Sequence, residues 1–257
     1  MGRLKKNYTI LILLLCMVPL HFQALAQNTS SLIQEAQQLY EQNREKESLD
    51  RYKEVLERQP NNFQATWRAS FLYSRVGNRL DDEEKKENYY FNAMQLAEKA
   101  IELDSTNVNS HYALSVAVGR RAQMSNAKQR VAFSRKIVEV SDRGLKIDPN
   151  HPGLLHVKGF LYYKIATAST LETAAANYLF GGFPEDVTLA KSIDLLERAV
   201  DNRPDYLLYR LDLANAYIAN GQTDKAKTLL NSILEKPAQT PDGNNIKQQA
   251  RELLADL

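Results

Sequence analysis

The apolar residues of this chain recur at helical spacing over most of its length. Near the C-terminus they follow an i, i+3, i+4, i+7, i+8 order, which is the stripe of an amphipathic helix. The members of this stripe are Ala226, Leu229, Leu230, Ile233 and Leu234. Just before it, Leu213, Ala214 and Tyr217 share another helical face, and Gly221 separates the two patterns. The pattern predicts two helices that fold back on each other as a hairpin.

Four eight-residue stretches look like copies of one junction between such helices. Each begins with a small or apolar residue, ends a helical pattern and has Pro or Ser at its sixth position. The residue before Pro is disfavoured in the helical region, and Asn or Asp can cap the helix that follows. The junctions are residues 55–62, 100–107, 144–151 and 199–206. They predict a repeated array of helices.

Counting from the junctions divides the chain into five units. The first and last are 34 residues long, and their pattern of small residues at helix crossings resembles the tetratricopeptide repeat. The units are 29–62, 63–107, 108–151, 152–206 and 207–240. We expect an all-α fold, an antiparallel helical-hairpin solenoid of about five hairpins. Residues 245–257 are predicted to form a C-terminal capping helix.

The middle units carry extra residues. The polar run from Asn78 to Asn88 is expected to lengthen a second helix into solvent. Residues 165–180 are rich in Ala and Thr, which predicts an unusually long first helix in the fourth unit. Gly181 and Gly182 should stop that helix, and Pro184 should open the next one.

The first residues are typical of a signal peptide. Basic residues precede an almost wholly apolar run over 9–20, and Ala24-Leu25-Ala26 supplies the small residues that a signal peptidase requires. We expect cleavage after residue 26 and a periplasmic or secreted protein, with an uncleaved anchor as the alternative. The single cysteine, Cys16, lies in this segment, so the remainder has no thiol chemistry.

Charge and motifs narrow the possible functions. Lys and Arg total 33 against 31 Asp and Glu, and this balance argues against nucleic-acid binding. Nucleophile elbows, phosphate loops and dinucleotide fingerprints are not present in the sequence. His151 and His156 are five positions apart and should not converge on one metal ion. We therefore expect no catalysis, no cofactor and no metal site.

Corresponding positions in the second to fourth units suggest a binding groove. In such arrays the first helices line the concave face, so their fifth, ninth and thirteenth residues should point into the groove. These positions supply an aromatic or apolar stripe beside a ladder of cations. The predicted partner-binding residues are Trp67, Phe71, Arg75, Tyr112, Arg120, His156, Phe160 and Lys164. The alternative is that the aromatic residues fill hairpin cores and the cations are ordinary solvated side chains.

Several of these residues also carry a resemblance to the regulator of microtubule dynamics family. The shared features are Trp67-Arg68, His111-Tyr112, Asp148-Pro149 leading to His156 and Gly159, and Phe-Gly-x-x-Pro over 180–184. The resemblance covers about residues 60–235 and implies a helical repeat protein without known catalysis. Eukaryotic members are associated with microtubules and mitochondria. The predicted signal peptide argues against carrying microtubule binding over to this chain.

Together these features predict an exported, non-catalytic scaffold that holds a protein or peptide in a concave groove. The partner should offer a carboxylate and an apolar anchor, because Arg and aromatic residues dominate such interfaces. Nucleic acid is not expected as a partner, and contact with a membrane should be indirect. The alternative is a periplasmic solute-binding or transporter-associated helical protein, because such helical components also have a Gly-Gly corner. A solute binder needs an enclosed pocket, whereas a scaffold leaves an open groove.

Overall fold

A computed structural model describes residues 29–184 and 186–257. The predicted signal peptide, residues 1–26, lies outside them. The described chain consists of helices joined by short turns and contains no strand in these two ranges. The helices are α1 (29–41), α2 (Glu45–Arg58), α3 (Phe63–Asn78), α4 (Glu83–Leu103), α5 (Val108–Gln123), α6 (Ala127–Ile147), α7 (Pro152–Ala166), α8 (Thr170–Phe180), α9 (Leu189–Asn202), α10 (Leu207–Ala219), α11 (Thr223–Glu235) and α12 (Gly243–Asp256).

The helices form five consecutive hairpins and a final single helix. α1 packs on α2, α3 on α4, α5 on α6, α7 on α9 and α10 on α11. α8 is inserted into the fourth hairpin and packs on α6 instead. α12 covers α11 and the adjacent side of α10. The expected helical-hairpin solenoid with a capping helix is confirmed.

The junctions in the sequence lie between the hairpins. α3, α5, α7 and α10 each begin at the residue after one of the four junctions. In three of them the last junction residue caps the helix through its side chain, which accepts a backbone N–H of the first turn. These caps are Asn62, Asn107 and His151. The fourth, Tyr206, makes no such hydrogen bond.

The long first helix expected in the fourth unit is wrong. α7 ends at Ala166, and α8 begins three residues after Thr167. The break occurs at Ser169, whose hydroxyl accepts the Glu172 N–H at 3.2 Å while the Glu172 carboxylate accepts the Ser169 N–H at 2.9 Å. This reciprocal capping box satisfies backbone groups that a continuous helix would otherwise bond.

The polar run after Asn78 is only partly helical. α3 ends at Asn78, and Asp82 caps α4 by accepting the Lys85 N–H at 3.0 Å. From Glu83 onwards the polar residues do lengthen the second helix, since α4 has 21 residues. The extra length therefore belongs to α4, and the residues between Asn78 and Glu83 form a link.

Four hydrophobic clusters fill the hairpins and the spaces between them. Small residues sit where helices cross, and Ala93, Ala97 and Ala100 of α4 are fully buried. All four clusters lie within residues 29–257, so this part of the chain has a core of its own. None of the described helices is long and apolar enough to cross a membrane.

Candidate functional site

The first helices of the hairpins form the inner side of the array. α3 contacts α5, α5 contacts α7 and α7 contacts α10, whereas each second helix packs mainly on first helices. Contact between successive first helices places them on the concave side of the curve. We call the solvent-directed side of α3, α5, α7 and α10 the inner face. It is the surface on which the sequence places the partner-binding residues.

A row of aromatic side chains runs along the inner face. The Phe71 ring lies 6.5 Å from Tyr40 and 5.3 Å from Tyr112, measured between ring centroids. The Tyr112 ring in turn lies 4.9 Å from His151 at the start of α7. Tilted and edge-on contacts at these distances are favourable beyond simple burial. The row therefore links the first four hairpins.

A second group of rings connects the fourth and fifth hairpins. His156 stacks on Tyr209 at 4.3 Å and lies 6.1 Å from Phe160. The His156 Nε2–H donates to the Asp212 carboxylate at 2.7 Å, and both side chains are nearly buried. Tyr209 also packs edge-on against Tyr206 at 4.6 Å. His156 is thus held by its own chain through stacking and a hydrogen bond.

Arg75 connects the beginning of the array with its end. Its guanidinium donates to Glu45 Oε1 at 2.7 Å, to the Tyr206 hydroxyl at 2.6 Å and to Asp242 Oδ2 at 3.2 Å. Arg79 contacts the same two carboxylates, at 2.6 Å from Glu45 and 3.2 Å from Asp242. Because Asp242 immediately precedes α12, the second hairpin and the capping helix meet across the inner face.

The Arg75 network is buried and electrically balanced. Glu45 is 3% exposed and Arg75 is 8% exposed, so each needs the other to offset the loss of hydration. Burial lowers the pKa of Arg75, but the neighbouring Tyr206 oxygen and Glu45 carboxylate outweigh burial and raise that pKa above its ordinary value. The guanidinium therefore stays charged and is fully engaged within the chain.

Arg203 lies at the same face as Arg75 but, unlike Arg75, is exposed to solvent. It lies in the turn between α9 and α10, is exposed, and holds its guanidinium 4.4 Å from the centre of the Tyr206 ring. It forms no ion pair with any carboxylate of the described residues, since the adjacent Asp205 pairs with Lys236 at 2.6 Å. Arg203 also hydrogen-bonds the Tyr209 side chain, and its charge lowers the pKa of Tyr209. Arg203 is therefore available to an external anion.

The tyrosine hydroxyls around Arg203 remain protonated at neutral pH. Burial raises the pKa of Tyr209, and it raises the pKa values of Tyr112 and Tyr206 in the same way. A protonated hydroxyl can donate a hydrogen bond. The hydroxyls beside Arg203 are therefore uncharged.

The eight predicted residues do not form one continuous stripe and ladder. Trp67 is 9% exposed and belongs to the core between α3, α4 and α5. Among the expected cations, Arg75 is paired within the chain and Arg120 donates to the Asn78 side chain at 2.8 Å. Lys164 is exposed at the end of α7. The sequence predicts an open, elongated groove. In the structure, the chain's own aromatic rings and ion pairs occupy part of this face.

The sequence reasoning missed Arg203, Tyr206 and Tyr209. At the position of Arg203, the other three junctions have Gln59, Asp104 and Asp148. A cation at that position in only one of four junctions was the signal that could have found it. The pairing of Arg75 with Asp242 could not be found this way, because 167 residues separate the partners.

Arg68 lies near this face and has one buried polar atom without a hydrogen-bond partner in the described chain. The Arg68 guanidinium lies 4.2 Å from the Trp67 ring centre and 5.6 Å from that of Tyr40, and its Nε is buried without a hydrogen bond. Within residues 29–184 and 186–257, no group of three His, Cys, Asp or Glu side chains is arranged to hold a metal ion.

The sequence profile of the family described as "Regulator of microtubule dynamics protein 1-3" matches residues 32–257. The chain belongs to this family. The match begins before the region in which the sequence motifs suggested the resemblance and extends to the last residue, so it includes the capping helix.

Relatives from animals share low identity with this member of the regulator of microtubule dynamics family. Regulator of microtubule dynamics protein 3 of Rattus norvegicus is 23% identical over 73% of this chain and 40% of its own length. Protein 1 of Caenorhabditis elegans is 22% identical over 61% of this chain and 69% of its own length. Protein 2 of Bos taurus is 22% identical over 90% of this chain and 56% of its own length. The chain thus spans well under half of the rat protein.

The fold also matches a solved repeat structure. A thermophilic tetratricopeptide repeat protein of Thermus thermophilus superimposes with a TM-score of 0.64 at 16% identity, covering 88% of this chain and 99% of that one. At this identity the match shows the fold alone. This member of the regulator of microtubule dynamics family is therefore a tetratricopeptide-like helical array.

Proposed function

We propose that the protein is an exported, non-catalytic scaffold that binds a protein or peptide at its inner face. The observation that carries the proposal is Arg203, an exposed guanidinium without an ion pair in the described chain, beside Tyr206 and Tyr209. Arrays of this fold present such concave surfaces to partners. Aromatic residues and Arg are the types that contribute most binding energy at interfaces.

The proposed partner carries a carboxylate next to an apolar anchor. Arg203 would grip the carboxylate with two hydrogen bonds. The rings of Tyr112, His156 and Phe160 would contact the apolar side chain. The cation proposed to bind the carboxylate, Arg203, is therefore not one of the predicted ladder residues Arg75, Arg120 and Lys164. Arg75 is already paired with Glu45 and Asp242.

Location and partner identity belong to the same proposal. Residues 1–26 support export to the periplasm or outside the cell, with Gln27 as the first residue of the mature chain. The animal relatives are named as regulators of microtubule dynamics. An exported chain would not meet microtubules, so the partner proposed here is an extracytoplasmic protein.

A solute-binding role is the alternative, and one observation favours it. Tyr209, Tyr206, Tyr112 and Tyr40 raise the pKa of Arg203, and the Tyr206 ring centre lies 4.4 Å from its guanidinium. Convergent hydroxyls around one cation also suit a small carboxylic acid. A scaffold should bind a peptide much more tightly than the free amino acid that carries the same carboxylate, whereas a solute binder should show the opposite order.

The proposal is tested by selecting peptides with free C-termini on immobilised residues 27–257. The best peptide is then titrated calorimetrically into wild type, Arg203→Gln and Arg143→Gln. Loss of a charge-assisted bidentate contact should raise Kd by about 10- to 100-fold in Arg203→Gln. Arg143 is a matched control, since its side chain is 63% exposed on α6 and, among the described residues, pairs with Glu139 alone.

Three results would count against the proposal. Selection of no peptide would contradict the scaffold function itself. Equal loss of affinity in Arg203→Gln and Arg143→Gln would show that binding depends on overall charge and not on the inner face. Tight binding of a free amino acid by wild type, with no gain for the peptide, would favour the solute-binding alternative.

A further inference from the structure

α8 stands outside the regular hairpins. It has 11 residues and is inserted between α7 and α9, where a tetratricopeptide hairpin has only a turn. Its sole buried residue is Ala176, on the side that packs against α6. Arg135 of α6 holds its C-terminal end by donating to the Phe180 carbonyl at 2.9 Å and to the Gly182 carbonyl at 3.0 Å. The helix is thus fixed in place while most of its surface remains free.

The free surface of α8 is apolar. Leu171 is 80% exposed, Tyr178 is 91% exposed and Leu179 is 62% exposed. Their i, i+7, i+8 spacing places them on one side of the helix, and Leu171 and Tyr178 point away from the side that carries Ala176. Isolated exposed apolar residues are ordinary, but a cluster on one short helix marks an interaction surface. We call these three residues the α8 patch.

Two cations, Arg130 and Lys164, lie near Glu172 of α8. Hydrogen bonds from Ser169 lower the pKa of Glu172, and the positive charges of Arg130 and Lys164 lower it further. Both cations have exposed side chains. Glu172 itself is occupied by the capping box with Ser169. The patch is therefore flanked by cations that can reach an anionic surface.

The dimensions of the patch favour a lipid surface over a second copy of the chain. A helix of 11 residues is about 16 Å long, and one side of it offers far less than the roughly 800 Å² per partner of a stable protein interface. A short apolar face with nearby cations is what holds a helix in the interface of an anionic bilayer. Tyr is well suited to that depth, because its ring is apolar and its hydroxyl is polar.

We propose that α8 docks on a membrane that contains anionic phospholipids. Leu171, Tyr178 and Leu179 enter the interface between head groups and acyl chains, and Arg130 and Lys164 lie against the phosphates. This contact is independent of peptide binding at the inner face. It would hold the array at a membrane surface while the inner face stays available.

The test is co-sedimentation of residues 27–257 with vesicles. One set contains phosphatidylglycerol together with phosphatidylcholine, and the other contains phosphatidylcholine alone. Wild type should bind the anionic vesicles and bind the neutral ones much more weakly. The double variant Tyr178→Glu/Leu179→Glu should lower the partition coefficient by about tenfold or more, since two apolar side chains are lost from the interface. Lys164→Glu should lower it by about fivefold or more.

Phe91→Glu provides the matched control, because Phe91 is a 52% exposed aromatic residue on α4, away from the patch. It should bind anionic vesicles as wild type does, and circular dichroism checks that every variant keeps its helices. Equal binding by wild type and Tyr178→Glu/Leu179→Glu would overturn the proposal, as would no binding by wild type. A dimer in sedimentation velocity that this variant converts to monomer would assign the patch to a second copy and also overturn it.

Discussion

At the scale of single residues, His151 shows how one side chain serves two neighbours. Its Nδ1 accepts the Leu154 N–H at 3.2 Å and so caps α7. Its ring also lies against Tyr112 on the inner face. An accepting nitrogen must be unprotonated, so the cap depends on the neutral form of the imidazole.

The charge state of His151 predicts a pH dependence of stability. Burial lowers its pKa from the ordinary 6.5, with a smaller lowering by Arg203 and an opposing effect of Asp148. Below pH 6.5 the unfolded chain therefore binds more protons than the folded one, and the free energy of unfolding falls as pH decreases. His151 contributes fully to stability above pH 6.5, and this contribution is lost as pH falls through the pKa of His151 in the folded protein.

Urea unfolding between about pH 8 and about pH 5 measures this effect. His151→Asn keeps a capping side chain without the titration, so its unfolding free energy should fall less over this interval than that of wild type. His151→Ala should lose about 1 kcal/mol at the upper pH. An equally steep fall in His151→Asn would show that other groups cause the pH dependence.

At the scale of helices, close crossings depend on glycine. A Cβ at Gly144 of α6 would lie 2.4 Å from Leu154 Cδ1 and 2.9 Å from His111 Cβ. Ala is favoured over Gly in a helix by about 1 kcal/mol, but overpacking costs about 1–3 kcal/mol. Gly144→Ala should therefore destabilise the protein on balance.

Gly119→Ala supplies the opposite case in the neighbouring helix. Its Cβ would meet only Ile137 Cδ1, at 3.9 Å, so the helical preference of Ala should raise stability by up to about 1 kcal/mol. Thermal unfolding of the two variants checks both signs. A gain in stability for Gly144→Ala would mean that Leu154 moves aside without loss.

Some helix boundaries could be predicted from the sequence, and others could not. The junctions carry Pro, Asn and Asp at fixed positions, and these residues act locally, so the starts of α3 and α5 could be predicted. The break before α8 could not be separated from the Ala-rich pattern around it, although Ser169 and Glu172 have the spacing of a capping box. That signal was present in the sequence and was outweighed by composition.

At the scale of the whole molecule, the array joins its two ends through Arg75. Removing this guanidinium would leave Glu45 buried with Arg79 alone, so Arg75→Gln should cost about 3 kcal/mol or more. Asp242 is 34% exposed, and Asp242→Asn should cost about 1 kcal/mol or less. Arg143→Gln removes a surface pair with Glu139 and should cost within about 0.5 kcal/mol.

Urea unfolding of the three variants measures this order. A loss in Asp242→Asn as large as that in Arg75→Gln would show that closure of the ends, and not relief of buried charge, dominates the stability. The contact between Arg75 and Asp242 also explains why the predicted ladder is not a row of free cations. Local periodicity places a side chain on a face, but it does not show which distant carboxylate reaches that face.

Amide hydrogen exchange can locate a peptide that is bound at the inner face. Exchange of residues 27–257 is compared with and without a saturating selected peptide. We expect slower exchange in α5, α7, the start of α10 and the turn containing Arg203, with α4, α6 and α11 unchanged. Slower exchange confined to those second helices or to α8 would contradict binding at the inner face.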